Sequence, residues 1–208
     1  MTTPRDTAQT VRDRILRRRR GKGAGWVFTP SHFLDLGTRA NVGMALKWLC
    51  DAGQIRRLAR GLYDLPRHHA KLGQLLPTPE QIAQASADKD SSRIQPAGAY
   101  AANLLGLSEQ VPAKVVFLTD ATDRQIRIGR QEIILKRTTP RNMATANRIS
   151  GLVIQALRHL GRGHVDKSVI DKLERRLGAA EKRQLIKDIR YAPAWIGAVF
   201  RDLANEAR

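Results

Sequence analysis

The sequence predicts an α+β protein in two domains, and three observations carry the prediction. Within the first seventy residues, helical and strand-like stretches follow one another in short order and end in a glycine-turned hairpin. In the middle of the chain β-branched runs take over, and from Ala144 onward helical spacing returns. With 208 residues and 42% hydrophobic composition, the chain is long enough to bury a core and too apolar to stay disordered.

The elements follow in order. Residues 7–20 read as a helix with Val11, Ile15 and Leu16 as a narrow apolar stripe among arginines, ended by Gly21, Gly23 and Gly25. Trp26, Val27 and Phe28 suit an edge strand. Thr29-Pro30 opens a short second helix, Ser31–Leu36, which stops at Gly37. Thr38 is a good N-cap for a third helix, Arg39–Ala52, closed by Gly53. Val42, Ala45, Leu46 and Leu49 form its buried face, with Cys50 on the margin as a simple buried thiol. Ala40, Met44, Lys47 and Asp51 lie opposite, and Asn41 and Trp48 on the flank. Gln54–Leu58 and Leu62–Leu65 then pair around Ala59-Arg60-Gly61. Helix, short helix, turn, longer helix and basic hairpin is the order of a winged helix-turn-helix, assigned here to residues 1–70.

Residues 71–208 predict a mixed domain of a small β-sheet and several helices. Pro66 and Arg67–Gly73 read as a linker, in which His68 and His69 are solvated rather than a metal pair. A helix runs from Pro77 to Asp88, followed by a polar turn from Lys89 to Ser92. Arg93-Ile-Gln-Pro leads into a small-residue helix, Ala97–Leu105. Lys114–Thr119 is a β-branched strand, and Gln125–Ile128 with Glu132–Lys136 forms a second hairpin. Helices are expected over 144–160, 166–177, 179–190 and 193–205.

Charge points to the partner. Lys and Arg number 37 against 19 Asp and Glu, a net charge of +18. Such an excess favours polyanions, because each cation set beside a phosphate releases condensed counterions. A solubility role alone would be served as well by acidic residues. No apolar run approaches the ~20 residues that span a bilayer, and the basic N-terminal stretch lacks the apolar region of a secretory signal. A lone cysteine excludes an intrachain disulfide, and the expected location is cytoplasmic.

Enzyme chemistry is not expected, nor a cofactor or metal. Gly21-Lys-Gly-Ala-Gly lacks the spacing of a phosphate loop. Asp120 and Asp123 read as turn residues, and the five histidines show no ligand spacing. The candidate site is instead a DNA-binding surface. If the third helix enters a major groove, Thr38, Arg39, Asn41, Met44 and Lys47 face the bases, where Arg39 suits guanine and Asn41 adenine. Arg56, Arg57 and Arg60 on the wing, with Arg18, Arg19, Arg20 and Lys22 after the first helix, would meet phosphates. The arginines at 124, 127, 130 and 137 and Lys136 extend the positive charge beyond the first domain.

Four segments carry a resemblance. Gly25-Trp-Val-Phe-Thr-Pro and Gly53-Gln-Ile-Arg-Arg-Leu-Ala-Arg-Gly-Leu-Tyr-Asp-Leu-Pro resemble the N-terminal domain of AbiEi-family antitoxins. Gln95-Pro-Ala-Gly-Ala-Tyr-Ala-Ala-Asn-Leu-Leu-Gly-Leu and Pro112-Ala-Lys-Val-Val-Phe-Leu-Thr-Asp look like the subgroup labelled DUF6088. The similarity runs from about residue 10 to 200. It implies an antitoxin of a type IV toxin–antitoxin or abortive-infection operon that represses its own promoter through inverted repeats, as a monomer on each half or as a homodimer. It also implies a nucleotidyltransferase-like toxin encoded alongside and a C-terminal domain concerned with antitoxicity. Two other readings stand beside it: an antitoxin acting by direct contact with its toxin, and a nonspecific nucleic-acid-binding protein. With 5% aromatic residues the chain has few platforms for stacking single strands.

Overall fold

Two separate sets of apolar side chains organise the chain. In this computed structural model, which describes the backbone of residues 4–205 and the side chains of residues 10–205, they define two units, Met1–Ser91 and Ser92–Arg208. The class is α+β, as the sequence predicts. Residues 1–3 and 206–208, at the ends of the two expected domains, lie outside the described residues.

In the first unit, α1 (Pro4–Arg20) lays Val11 and Ile15 against α2 (Arg39–Asp51). The strands β1 (Val27–Phe28), β2 (Arg56–Ala59) and β3 (Leu62–Asp64) form an antiparallel sheet in the order β1-β3-β2. Phe28, Phe33, Val42, Leu46, Leu49, Ile55 and Leu65 complete the core. Phe28 stands edge-on to Phe33 and stacks on Tyr63, so the aromatic cluster joins sheet and helices.

The expected second helix, Ser31–Leu36, is a single 3₁₀ turn, Pro30–Phe33. Two local bonds explain the difference. The Thr29 N–H donates to His32 Nδ1 at 3.2 Å, which caps the turn at its start. Arg18 Nη1 donates to the His32 carbonyl at 2.6 Å, occupying the oxygen that an α-helix would offer to Leu36. The Leu36 N–H bonds to Phe33 instead.

Residues 67–73, read from sequence as a linker, belong to a second hairpin of β4 (Arg67–His69) and β5 (Gly73–Leu75). Its turn is held by His69 Nδ1, which accepts the N–H groups of Lys71 and Leu72 at 3.2 and 3.3 Å, and Gly73 supplies the positive φ. α3 (Pro79–Asp88) starts in a reciprocal capping box between Thr78 and Gln81 and packs on β1. This hairpin and helix set the division between units after Ser91, whereas the sequence suggests a boundary after residue 70.

The second unit is a four-stranded sheet with helices. Its strands are β6 (Ile94–Ala97), β7 (Lys114–Thr119), β8 (Arg124–Ile128) and β9 (Gln131–Arg137), in the order β6-β7-β9-β8. β8 and β9 form the expected hairpin, but β9 then lies parallel to β7, and β6 is a strand where the sequence suggests only a lead-in. The two turn aspartates have structural partners. Asp120 accepts from the Arg93 N–H and from Arg93 Nε, each at 2.9 Å, and the backbone bond, with the side-chain one, holds its carboxyl below the usual range. Asp123 accepts from the Arg137 N–H at 2.7 Å.

α4 (Gly98–Leu104) packs on α6 (Ile149–Leu160), followed by α7 (Lys167–Arg176), α8 (Ala179–Lys187) and α9 (Ala194–Asn205). The helix expected over 144–160 starts late: residues 144–148 are turn and bend, with Asn147 at φ 61°, and α6 begins only after Arg148, while a separate one-turn α5 (Pro140–Met143) lies before them. Helix 179–190 likewise ends at Lys187, with a 3₁₀ turn at Ile189–Tyr191.

Candidate nucleic-acid interface

The candidate surface is built on α2. Thr38 caps the helix, its hydroxyl accepting the Asn41 N–H at 3.3 Å, so the first turn is fixed and its remaining amides face outward. Burial of Val42, Ala45, Leu46 and Leu49 determines which side is left over. Arg39, Ala40, Gly43, Met44 and Lys47 are exposed, Asn41 is half-buried on the flank, and Met44 keeps 39% of its surface open. Arg39 and Lys47 form no ion pair with any described residue, so their charges are available to a ligand.

The wing cations divide. Gly61, at φ 72°, turns the hairpin, and exposed Arg60 sits at its tip without an ion pair among the described residues. Arg57 is exposed and donates weakly to the Ala59 carbonyl at 3.4 Å. Burial pushes the Cys50 thiol and the Tyr63 phenol up, and the nearby Arg57 charge partly offsets both shifts.

Arg56 is different. Its Nε and Nη2 clamp Asp64 at 3.0 and 2.6 Å, and Nη2 also reaches the Leu75 carbonyl at 2.8 Å. Asp64 is 1% exposed, so this guanidinium neutralises a buried carboxylate and fastens the β4–β5 hairpin to the first sheet. Arg56 therefore leaves the set of phosphate-facing residues. Counting back from the Ala59–Leu62 pair would set Arg57 opposite Asp64; a register shift between Arg57 and Ala59 brings Arg56 there instead, and the sequence carries no signal for it.

The cations after α1 divide in the same way. Arg18 grips Asp35 with both nitrogens at 2.9 and 2.5 Å, and this bond raises the guanidinium pKa and lowers that of the carboxyl. The same guanidinium lies over Phe33. Arg18 thus ties α1 to the turn before α2. Arg19 donates to Gln54 Oε1 at 3.4 Å, and Lys22 stands 5.7 Å from the centre of the Trp26 ring. Arg20 is exposed and unpaired among the described residues. This run also complements the negative C-terminal end of α1, a structural role independent of any ligand. The structure therefore brings Thr38, Arg39, Asn41, Met44 and Lys47 onto one helix, leaves Arg57, Arg60 and Arg20 free, and assigns Arg18 and Arg56 to internal clamps.

Positive charge is not confined to this unit. Residues 1–91 carry 16 Lys and Arg against 8 Asp and Glu, and residues 92–208 carry 21 against 11. The excess is comparable in both, so charge alone does not single out α2; the geometry of its exposed face does.

Together these features define an α+β protein whose N-terminal unit presents a capped helix beside a basic hairpin. The chain belongs to DUF6088, a family of unknown function, which it matches over residues 13–185. No curated protein matches the chain, and no solved structure does. Among the described residues, no helix is long and apolar enough to cross a membrane.

Proposed function

We propose that this protein is a DNA-binding transcriptional repressor whose first unit acts as a winged helix, with α2 in the major groove of a duplex and the β2–β3 turn against the backbone. One observation carries the reading: α2 buries one stripe and leaves its capped N-terminal half open, with Arg39 and Lys47 uncommitted. The order α1, β1, 3₁₀ turn, α2, β2, β3, with β3 central in the sheet, supports it, since a third helical element followed by a basic hairpin is the order of a winged helix-turn-helix. The antitoxin role and the inverted-repeat operator are drawn from the resemblance of residues 25–30, 53–66, 95–107 and 112–120 to AbiEi-family antitoxins.

Fluorescence anisotropy on the DNA upstream of the protein's own gene and on a scrambled duplex, each across a salt series, tests the reading. A preference of ~10³-fold or more for the upstream fragment is expected at physiological salt. Arg39→Ala should cost ~1–3 kcal/mol on that fragment and little on scrambled DNA. Equal affinities with a steep salt slope would reduce the protein to a nonspecific polyanion binder. Tight co-purification with a toxin and no salt-sensitive DNA affinity would favour an antitoxin acting by direct contact.

A further inference from the structure

The second unit holds a group of arginines that no fold requirement accounts for. Arg158, in the last turn of α6, donates through Nη1 to Asn142 Oδ1 at 2.9 Å, which brings its guanidinium to α5 beside Arg141. Arg141 reaches across to the 3₁₀ turn after α8, donating through Nη2 to the Arg190 carbonyl at 3.3 Å. Arg190 folds its own guanidinium over Tyr191, 4.9 Å from the ring centre, with Nη2 donating to the phenol oxygen at 2.9 Å. Two guanidinium groups, Arg141 and Arg158, are thus set side by side, with Arg141 resting on the backbone of the turn that carries Arg190. None of the three arginines forms an ion pair with a described residue. The nearest carboxylate in sequence, Asp188, is saturated by Arg148, Ser150 and Gln184.

This is an uncompensated arrangement. Like charges held together repel, and both Arg141 and Arg158 are anchored only by neutral oxygens, each using one of five N–H donors. Burial, and then the neighbouring Arg141 charge, lowers the pKa of Arg158, so the strain of the unmatched pair is felt at that group. Elsewhere in the chain arginines close to the fold meet carboxylates, as Arg18, Arg56, Arg93 and Arg148 do. A cluster without one has donors left for an anion from outside, and the planar guanidinium fork matches two oxygens of a phosphate.

We propose that Arg141 and Arg158 form a phosphate-binding site on the second unit, independent of how α2 is used. The recognised chemistry is one phosphate group, borne either by a free nucleotide or by a nucleic-acid backbone.

The test uses the full chain and the variants R141Q, R158Q and R127Q, the last removing an exposed arginine of β8 as a control. Thermal melts and titration calorimetry are run with sodium pyrophosphate, a nucleoside triphosphate and a scrambled 20-base-pair duplex, at ionic strength matched with chloride. Saturable stabilisation of the parent protein is expected, with affinity reduced at least tenfold in R141Q and R158Q and unchanged in R127Q. Pyrophosphate or triphosphate binding with that pattern assigns free phosphates; the pattern with duplex alone assigns a polymer-borne phosphate. In chloride, R141Q should melt no lower than the parent, because a repulsive charge is gone. Absence of saturable binding in every arm, equal loss in R127Q, or a lower melting temperature of R141Q in chloride would overturn the proposal.

Discussion

α2 and α6 are helices of nearly equal length, 13 and 12 residues, yet their surroundings are opposite. α2 buries a single stripe, Val42, Ala45, Leu46 and Leu49, and leaves the rest of its circumference to solvent. α6 buries Ser150, Gly151, Val153, Ile154, Gln155, Ala156 and Leu157, which cover positions all round its first two turns. Its polar groups are saturated as well, since Ser150 and the capping residue Arg148 both donate to Asp188. A stretch enclosed on every side, as the first two turns of α6 are before Arg158 and His159 open to solvent, is a scaffold whose substitutions change stability. A helix held by one stripe is fixed in place with a face to spare, and its substitutions can separate binding from folding.

The largest effect is expected at Asp188. This carboxylate is 2% exposed and accepts from Ser150, from Arg148 at 2.7 Å and from Gln184 at 2.8 Å, joining the start of α6 to the end of α8. Asp188→Ala leaves the Ser150 and Gln184 donors without their acceptor, at about 1–3 kcal/mol each, and should cost about 4 kcal/mol, measured by urea denaturation. The pH dependence has a definite sign. Burial alone would raise the pKa of Asp188, but the bonds from Ser150, Gln184 and Arg148 outweigh it and the pKa is lowered. Its stabilising contribution is therefore complete above the unfolded carboxylate value near pH 4 and disappears as pH falls through the lower folded value. In hydrogen exchange, amides of α6 and α8 should lose protection below about pH 4 in the parent protein, and Asp188→Asn should remove that acid-dependent part. An unchanged acid profile in the variant would break the assignment.

Gly151 sharpens the contrast from within α6. A Cβ built there would collide with the Thr145 carbonyl oxygen and lie 2.7 Å from the Gln95 side chain. The Gln95 amide, in the orientation that satisfies it, donates to Thr145 O and accepts from the Leu152 N–H, both at 3.2 Å. Gly151→Ala pushes into that bridge between β6 and α6 and should cost about 3 kcal/mol, the upper range for overpacking. For a chain of this size that is a fall of roughly 6–12 °C in Tm. A melt within 2 °C of the parent would mean that this end of α6 has room the structure denies.

How much of this was legible in the sequence differs between the two regions. α2 reads clearly because cap, period and glycine stop agree locally: Thr38, the spacing of Val42 to Leu49, and Gly53. Its exposed face follows from the same spacing. The second unit depends on partners far away in sequence. β6 contains Pro96, which argues against a strand until β7 is seen to pair with it. The stretch 144–148 is composed like a helix, and only its packing, with Asn147 left-handed, shows that it is not one. β4 and β5 have polar sequences with no apolar alternation to betray them. The clamps Arg18–Asp35 and Arg56–Asp64 show the limit for the site itself. Charge can be counted along a sequence, but whether an arginine is free depends on which carboxylate the fold sets beside it.

That limit makes Arg56 and Arg60 an informative pair, four residues apart on one hairpin. Arg56→Ala strands Asp64, and because Arg56 is itself about a quarter exposed, with 24% of its side chain open, the expected cost is about 2 kcal/mol of stability. DNA affinity would fall only in step with the folded fraction. Arg60→Ala should leave the urea midpoint unchanged and lower affinity for cognate and scrambled duplex alike, flattening the salt slope by about one unit. The reverse pattern, with Arg60 affecting folding and Arg56 affecting the salt slope, would exchange their roles and undo the division between clamp and contact.

The smallest effect gives the cleanest comparison with Gly151. Gly43 also lies inside a helix, but a Cβ there would meet nothing within 4 Å. In α2 it is a glycine whose backbone freedom is a cost to folding with no packing return, so Gly43→Ala should stabilise the protein by roughly 0.5–1 kcal/mol. The added methyl would project from the outward face between Ala40 and Lys47, where a duplex would approach. If that face enters a groove, the two readouts move in opposite directions: the urea midpoint rises while affinity for the upstream fragment falls by several-fold. If stability rises and affinity is untouched, α2 is still held by one stripe, but the face it leaves open is not the one that meets DNA.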